Sequence, residues 1–418
     1  MAVGLAVELA DELVDGAKGA ALPLIRHDLS LSYAQVGLLA SVPLLAGGTL
    51  ELPLGILAGE GRRRRLAVLG GGVVFILSLL AVAGARSFVV LLAAFTVFFP
   101  ASGAFVSLTQ AELMDAWPDR QAQVMARWDL AGSTGAVAGP LLLTAVLAAG
   151  GGWRAAYLVL AALAAVTWLG TCWCGPRPAR VTAAGAGGDR GPGGDRGPGG
   201  DRGPGGDRGA GAAGAARARE VLDALRDWST VRWVLVTVVA DLLVDVLTGF
   251  LALYLVDVAH LTPPIAALAI AIRFGSGLAG DAALVVVLDR VTDVTVLRAS
   301  AVAAGLLYPG FLLAAGPVAK LVILAMLSAV TAPWYPLLQA RLYGSLPGRS
   351  PVAVTLSSAA ALAGGLGPLA VGLIAEAFGL SWALAVLVAV PAAVLAGTGR
   401  GRESAGRESA GRESGGRE

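Results

Sequence analysis

The segment Ala10-Asp11-Glu12-Leu13-Val14-Asp15 recurs 230 positions later as Ala240-Asp241-Leu242-Leu243-Val244-Asp245, with five of the six residues identical. Both copies lie inside otherwise apolar stretches. The same offset aligns Gly47 with Gly277 and Glu51 with Asp281. An apolar chain that repeats itself at half its length predicts two similar helical bundles in the same orientation. Acids at matching depths predict a polar site between those bundles.

The composition is that of a membrane protein. Hydrophobic residues make up 56% of the 418 residues and charged residues only 14%, whereas a soluble domain carries about 25% charged residues. Twelve apolar stretches are long enough to cross the ~30 Å hydrocarbon core of a bilayer. They cover residues 1–24, 34–58, 66–85, 88–111, 128–149, 153–173, 231–256, 263–287, 294–314, 317–339, 352–376 and 380–397. The expected fold is all-α and integral to the membrane, with twelve transmembrane helices in two pseudo-symmetric six-helix bundles.

Four segments follow from this count. We expect an N-terminal six-helix bundle over 1–174, a linker over 175–230, a C-terminal six-helix bundle over 231–397 and a tail over 398–418. The linker repeats Gly-Gly-Asp-Arg-Gly-Pro, and the tail repeats Gly-Arg-Glu-Ser-Ala. Both compositions are typical of disordered chain. The first helix is expected to be an uncleaved span, because its acids do not fit the apolar region of a signal peptide.

The basic residues predict the orientation. Cytoplasmic segments of multi-pass proteins carry the excess of Lys and Arg. With both termini inside, the inner segments apart from the linker and tail hold ten basic residues: Arg62, Arg63, Arg64, Arg65, Arg120, Arg127, Arg290, Arg298, Arg341 and Arg349. The outer loops hold four: Arg26, Arg86, Arg154 and Lys320. Both termini are therefore expected in the cytoplasm, with the protein in the cytoplasmic (inner) membrane.

The first helix carries a charged face. Its charged residues recur at helical spacing, which places them on one side: Glu8, Asp11, Glu12, Asp15 and Lys18. An acid at the centre of a bilayer costs about 3 kcal/mol even on lenient scales, so this face must contact protein or water. We predict that it lines a central cavity in which Asp11 and Asp15 bind protons or a cationic substrate. Glu8, Glu12 and Lys18 are secondary candidates. The alternative is that Asp15 and Lys18 only neutralise each other.

The second half repeats part of this pattern. Asp241 and Asp245 lie one turn apart in the seventh helix, and Arg273 lies at a comparable depth in the eighth. We predict a buried Asp245–Arg273 pair, acting either as a proton-sensitive switch or as a structural contact between the two helices. Glu51 and Asp281 occupy equivalent inner positions of helices two and eight and are further secondary candidates, for structural or cavity-mouth roles.

Two six-helix halves with a cytoplasmic linker and inward termini resemble the major facilitator superfamily. That family usually carries G-x-L-A-D-R-x-G-R-R after its second helix. Here Gly55, Arg63 and Arg64 are in register, but Gly59 and Glu60 replace the Asp-Arg pair. The second half keeps the pair as Asp289-Arg290. The resemblance implies that Gly55, Arg63, Arg64, Asp289 and Arg290 gate the inner loops, where charge pairs stabilise the outward-open state.

A glycine-proline pattern is shared by the fifth and eleventh helices. The fifth carries Gly135 and Gly139-Pro140, and the eleventh carries Gly367-Pro368. Small residues let helices approach closely, and proline bends a helix. The pattern is similar to a motif of drug:proton antiporters, so the closest likeness is to drug and metabolite efflux members. The arginine common in the fourth helix of proton-coupled exporters is replaced by the Phe98-Phe99-Pro100 region.

The sequence therefore predicts a secondary active transporter that exports a small amphipathic or cationic compound by alternating access, driven by protons. Sodium would also suit clustered carboxylates. One alternative is proton-coupled uptake of a sugar or organic acid, and another is a non-transporting membrane sensor or scaffold. Motifs for catalysis, nucleotide binding or haem ligation are missing from the sequence, so we expect no enzymatic activity, cofactor, metal or nucleic-acid partner. The expected partners are a small-molecule substrate, protons or Na⁺ and the lipid bilayer, with the protein as a monomer.

Overall fold

The computed structural model describes residues 1–58, 62–117, 120–174, 220, 223–346 and 350–399, with side chains in these ranges except at 51–58, 121–122, 174, 350–351 and 353–354. Twelve long helical segments cross the described chain. They are α1 (Ala2–Leu29), α2 (Tyr33–Ala58), α3 (Arg62–Gly84), α4 (Phe88–Ala116), α5 (Gln121–Ala148), α6 (Trp153–Cys174), α7 (Trp228–Val258), α8 (Pro263–Leu288), α9 (Asp293–Leu313), α10 (Pro317–Ser345), α11 in two parts (Ser350–Gly364 and Gly367–Phe378) and α12 (Leu380–Gly397).

These helices form an integral membrane fold. Eleven of them are long and apolar enough to span a bilayer among the described residues. The exception is α1, whose charged residues lower its hydropathy, although its 28 residues would cross the hydrocarbon core. It packs against α5, α6, α7 and α8 in the middle of the molecule. The all-α membrane fold expected from the sequence is confirmed, with the most charged helix at the centre of the bundles.

The first helix is longer than the sequence suggested. The Arg26-His27-Asp28 segment was expected to be a loop after residue 24, but it forms the last turn of α1. The helix ends where Ser30 adopts a left-handed conformation with φ 51°, and the Leu31 N–H donates to the Arg26 carbonyl at 2.9 Å. This C-terminal cap satisfies carbonyls that would otherwise lack partners, so the polar residues remain helical.

The internal repeat extends to the backbone. The described non-glycine residues with positive φ are Ser30 and His260, which lie 230 positions apart and have φ values of 51° and 53°. Each ends the first helix of its bundle, and α2 and α8 begin three residues later, at Tyr33 and Pro263. L-residues seldom adopt this conformation. Its presence at both positions indicates that the two bundles share one template.

The two bundles meet through pseudo-symmetric helix pairs. Within the bundles α1 packs on α5 and α7 on α11, whereas between them α2 packs on α11, α5 on α8 and α1 on α7. Gly19 lies against Thr248, and Arg26 contacts Asp257, so α1 and α7 run parallel. Both helices start at the end of the molecule that carries Met1, and Arg232 at the start of α7 donates to the Gly399 carbonyl at 3.2 Å. This end is called the terminus face, and the other end is called the opposite face.

Glycines on α5 allow α1 to approach it closely. A Cβ added at Gly139 would collide with the Leu13 carbonyl, and one at Gly135 would collide with the Leu9 carbonyl. A Cβ at Gly16 of α1 would lie 3.1 Å from Cδ of Pro140. Backbone-to-backbone contact of this kind replaces the hydrophobic effect as the source of helix association in lipid.

Several expectations concern chain that the structure does not describe. Most of the predicted linker (175–219 and 221–222), the tail from residue 400 and the Gly59–Glu60 position lie outside the described residues. The backbone of α2 is described through residue 58, but the side chain of Glu51 is not.

We expect Gly139→Leu to destabilise the protein by at least about 2 kcal/mol, because the new side chain would separate α1 from α5. Gly70→Leu is the matched control, since an added Cβ at Gly70 meets nothing within 4 Å. Thermal unfolding of both purified variants in detergent measures the difference. Equal melting temperatures would contradict the close packing of α1 on α5.

Candidate functional site

A cavity of about 650 Å³ lies between the bundles. The N-terminal bundle supplies lining residues from α1, α2 and α5: Glu8, Glu12, Leu44, Asp129, Gly132, Ser133 and Ala136. The C-terminal bundle supplies residues from α7, α8, α10 and α11, including Asp241, Val244, Asp245, Arg273, Phe274, Gly277, Asp281, Trp334, Tyr335 and Ala361. The cavity is therefore built by both halves of the repeat, as expected for a site at a repeat interface.

The cavity opens toward the terminus face. Asp129, near the start of α5, and Asp281, near the end of α8, are both exposed, and Tyr335 retains 61% of its exposure. At the inner end of the cavity Arg273 retains only 9%. Solvent therefore reaches the carboxylates from one side.

The lining is strongly acidic. Six of the described lining residues are carboxylates: Glu8, Glu12, Asp129, Asp241, Asp245 and Asp281. The single base among the described lining residues is Arg273. Asp129 was grouped with the inner-loop charges at the sequence level, but it faces the cavity. The sequence carried a signal for this, since Asp129 lies one turn before Gly132, on the face of α5 that meets α1.

The acids of α1 divide into two groups. Glu8 and Glu12 line the cavity, and a Cβ at Gly132 would lie 2.7 Å from Glu8 Oε1. Asp11 instead accepts a hydrogen bond from Ser102 Oγ at 2.7 Å, and Asp15 pairs with Lys18 Nζ at 2.6 Å. The predicted order was thus reversed: the secondary candidates line the cavity, and Asp11 and Asp15 are absent from its described lining.

The helical turn explains this division. Residues three apart differ by about 60° around a helix of 3.6 residues per turn. Asp11 and Lys18 therefore face α4, where Ser102 binds the carboxylate and the Lys18 ammonium lies 4.6 Å from the Phe99 ring centre. Asp15 keeps 40% side-chain exposure, so it remains accessible to water although it is paired.

Ser102 was missed at the sequence level. It precedes a π-helical turn, Gly103–Ser107, within α4. Such turns insert an extra residue into a helix and are frequent at functional sites. No sequence pattern indicated this turn, because a π-turn has no strong residue signature.

The predicted Asp245–Arg273 contact is wrong as a direct ion pair. Among the described residues it is not one of the pairs within 4.0 Å, and Arg273 Nη2 instead donates to the Val244 carbonyl at 2.9 Å. Arg273 still interacts electrostatically with both Asp245 and Asp15. The hydrogen bond to the backbone of α7 holds the guanidinium between these two acids, which are equivalent in the repeat.

The bundles are sealed toward the opposite face. A Cβ at Gly37 of α2 would lie 2.8 Å from the Pro368 carbonyl, and Gly372 approaches the Tyr33 carbonyl as closely. Ser41 is fully buried and accepts a hydrogen bond from the Leu369 N–H at 3.0 Å. Small residues let α2 and α11 meet here, and this contact closes the end of the cavity.

On the terminus face, charge pairs join helix ends within each bundle. Arg64 at the start of α3 pairs with Asp115 of α4 at 2.5 Å. Asp293 at the start of α9 pairs with Arg341 of α10. The positions are equivalent in the repeat, but the charges are exchanged. The other predicted gating residues, Arg63, Asp289 and Arg290, are exposed at helix ends, and Gly55 lies in the part of α2 without described side chains.

Comparison with known proteins agrees with this architecture. The sequence profile of the Major Facilitator Superfamily matches residues 13–355. The chain belongs to the Major Facilitator Superfamily. It is therefore a multi-pass membrane transporter that takes a small-molecule substrate. No curated protein matches the whole sequence at a significant level.

Solved transporters share the fold at low sequence identity. A bacterial homologue of the human lysosomal transporter Spinster, in an inward-facing and occupied conformation, superposes with a TM-score of 0.71 at 14% identity over 94% of each chain. The nucleoside transporter NupG gives 0.71 at 12% identity, over 96% of this chain and 100% of its own. A POT family transporter in complex with 5-aminolevulinic acid gives 0.70 at 11% identity, over 95% and 94%.

We expect Gly277→Cys, in a background with Cys172→Ser and Cys174→Ser, to react rapidly with a hydrophilic maleimide. Gly277 lines the cavity, and an added Cβ there meets nothing within 4 Å. Ala301→Cys is the control, because Ala301 is 1% exposed and should react at least about tenfold more slowly. Labelling kinetics by mass spectrometry decide the matter, and similar rates would argue against a hydrated cavity.

Proposed function

We propose that this transporter exports small amphipathic or cationic compounds in exchange for protons, by alternating access. The observation that carries the proposal is the cavity between the bundles, with six carboxylates and one base in its described lining. Its volume of about 650 Å³ suits a drug-sized or smaller molecule, since ligand pockets measure about 300–1,000 Å³. A cleft lined by one sign of charge concentrates ions of the opposite sign.

The uncharged lining supports an amphipathic substrate. It combines three aromatic residues with aliphatic ones: Phe274, Trp334, Tyr335, Leu44, Leu247 and Leu278. Aromatic faces attract organic cations, and the aliphatic side chains accommodate apolar groups. None of the described lining residues is Asn or Gln, which are common hydrogen-bonding groups for neutral polar ligands. Sugar uptake is for this reason the weaker alternative.

Proton coupling is assigned to acids near the boundary between the bundles. Asp15 and Asp245 are equivalent in the repeat, and both interact electrostatically with Arg273. Protonation of either acid would change the charge balance around a nearly buried cation, and so the relative stability of the two conformations. Asp11, held by Ser102, and Asp241, one turn before Asp245, complete the set. Carboxylates that are alternately exposed to the two sides can carry protons in one direction and substrate in the other.

We propose that the terminus face is cytoplasmic and that the protein resides in the cytoplasmic membrane. The excess of arginine at that face supports this orientation. The cavity then opens to the cytoplasm, where an exporter loads its substrate. The linker and tail would also lie in the cytoplasm. Because one chain contributes both walls of the cavity, a monomer suffices for transport.

The remaining predicted residues are assigned to the movement of the bundles. Gly135, Gly139 and Pro140 hold α5 against α1, and Gly367 and Pro368 lie where α11 meets α7 and α2. These contacts would act as pivots, because backbones in direct contact can slide without repacking large side chains. Gly55, Arg63, Arg64, Asp289 and Arg290 are proposed to adjust the helix ends of the terminus face.

Neutralising the coupling acids should uncouple transport. We expect Asp15→Asn and Asp245→Asn each to reduce pH-driven transport at least about tenfold, because the amide cannot bind the proton whose release drives the cycle. Asp223→Asn, which removes one acid of an exposed ion pair ahead of α7, is the control and should leave the rate unchanged. Uptake of a fluorescent organic cation into inside-out vesicles with an acidic lumen measures it.

Wild-type rates in both variants would disprove the coupling assignment. If Asp245→Asn fails to fold and a second change, Arg273→Ala, restores folding, the role of Asp245 is structural. Reconstitution into liposomes distinguishes export from uptake, sodium coupling and the absence of transport. A symporter moves substrate in the direction of the protons, a sodium-coupled protein responds to a Na⁺ gradient instead, and a sensor or scaffold moves nothing.

A further inference from the structure

A polar cluster joins the two bundles at the opposite face. Asp257 at the end of α7 accepts hydrogen bonds from Arg26 Nη1 of α1 and from the Tyr33 hydroxyl, each at 2.9 Å. The Tyr33 N–H at the start of α2 donates to Glu376 Oε2 of α11, also at 2.9 Å. All three bonds cross from one bundle to the other. We propose that Arg26, Tyr33, Asp257 and Glu376 form the gate that must break when the cavity opens to the opposite face.

The half of the gate on the N-terminal bundle is held together without its partner. The Arg26 guanidinium lies 4.1 Å from the centre of the Tyr33 ring, a cation–π contact within one bundle. Ser32 and Gln35 form a reciprocal cap at the start of α2, with bonds of 3.0 and 3.2 Å. This cap satisfies helix-end groups locally, so α2 stays folded when the bundles part. The Tyr33 N–H then remains available for Glu376.

The half on the C-terminal bundle is also held in position. Asp257 belongs to a π-helical turn, Tyr254–Val258, that ends α7. The Tyr254 hydroxyl donates to the Leu312 carbonyl at 3.0 Å and accepts from Lys320 Nζ at 3.0 Å. Lys320 is 6% exposed and also donates to the Phe311 carbonyl at 2.9 Å. The sequence suggested an outer-loop position for Lys320, but here it anchors the turn that presents Asp257.

Two positioned halves make a reversible contact. Arg26 and Asp257 keep 28% and 21% side-chain exposure, so water can replace their bonds when the bundles separate. Behind them, Ser41 is fully buried between α2 and α11. Breaking the gate should therefore expose Ser41, while the opposite movement closes the cavity around Gly277.

The test uses two single-cysteine reporters in the background with Cys172→Ser and Cys174→Ser. Ser41→Cys reports opening at the opposite face, and Gly277→Cys reports opening at the terminus face. Asp257→Asn should raise maleimide labelling of the Ser41→Cys reporter about two- to fivefold, the range expected for a partly exposed ion pair, and lower labelling of the Gly277→Cys reporter. Tyr33→Phe, which removes one hydroxyl, should act in the same direction with a smaller effect.

Asp28→Asn is the matched control. Asp28 pairs with Arg154 at the same face, but both residues belong to the N-terminal bundle. This variant should leave both reporters unchanged. Arg26→Gln combined with Asp257→Asn should have no larger effect than the stronger single change, because the two residues share one contact.

Three results would overturn the gate: unchanged labelling in both Asp257→Asn and Tyr33→Phe, a rise of both reporters together, or an equal response to Asp28→Asn. Asp257→Asn is compared only where its size-exclusion profile and melting temperature match those of the reporter parent, and otherwise Tyr33→Phe decides. The assay uses purified protein without substrate or gradient, so its outcome is independent of the proposed proton coupling and export.

Discussion

The cost of placing charge in hydrocarbon shapes this molecule. Acids of α1, α7 and α8 lie at membrane depth, where each would be expensive if it faced lipid. The fold removes that cost by placing α1, the most charged helix, at the centre and by opening a hydrated cavity beside it. Acids that do not face the cavity have partners instead, as Asp11 has Ser102 and Asp15 has Lys18. Glycine-lined contacts between α1 and α5 make this arrangement compact.

One template has been given different chemistry in its two copies. The left-handed residues Ser30 and His260 end equivalent helices, and α2 and α8 start at equivalent positions. On the terminus face the charge pairs are exchanged, with the basic residue on α3 in one half and on α10 in the other. The backbone has kept its geometry because it defines how the bundles meet. The side chains were free to diverge wherever a pair could be replaced by its reverse.

Much of the candidate site followed from spacing. Helical periodicity identified the acids of α1, and the repeat identified Asp241, Asp245 and Asp281, which line the cavity with Arg273. Periodicity did not show that a rotation of about 60° separates Glu8 and Glu12 from Asp11. Nor did similar depth along two helices make an ion pair: Arg273 binds the backbone of α7 rather than Asp245. Direction around a helix and the reach of a side chain depend on neighbours that are distant in sequence.

The sequence by itself determined the all-α membrane fold, the number of helices and the duplication, because each depends on local hydropathy or on comparison of the chain with itself. Tertiary structure alone decided which face of α1 meets the cavity and that the bundles close at the opposite face. It alone brought together Arg26, Tyr33, Asp257 and Glu376, from four different helices. These features depend on contacts between segments more than 200 residues apart. Such contacts form only when whole helices pack, and no local pattern specifies which side chains will then meet.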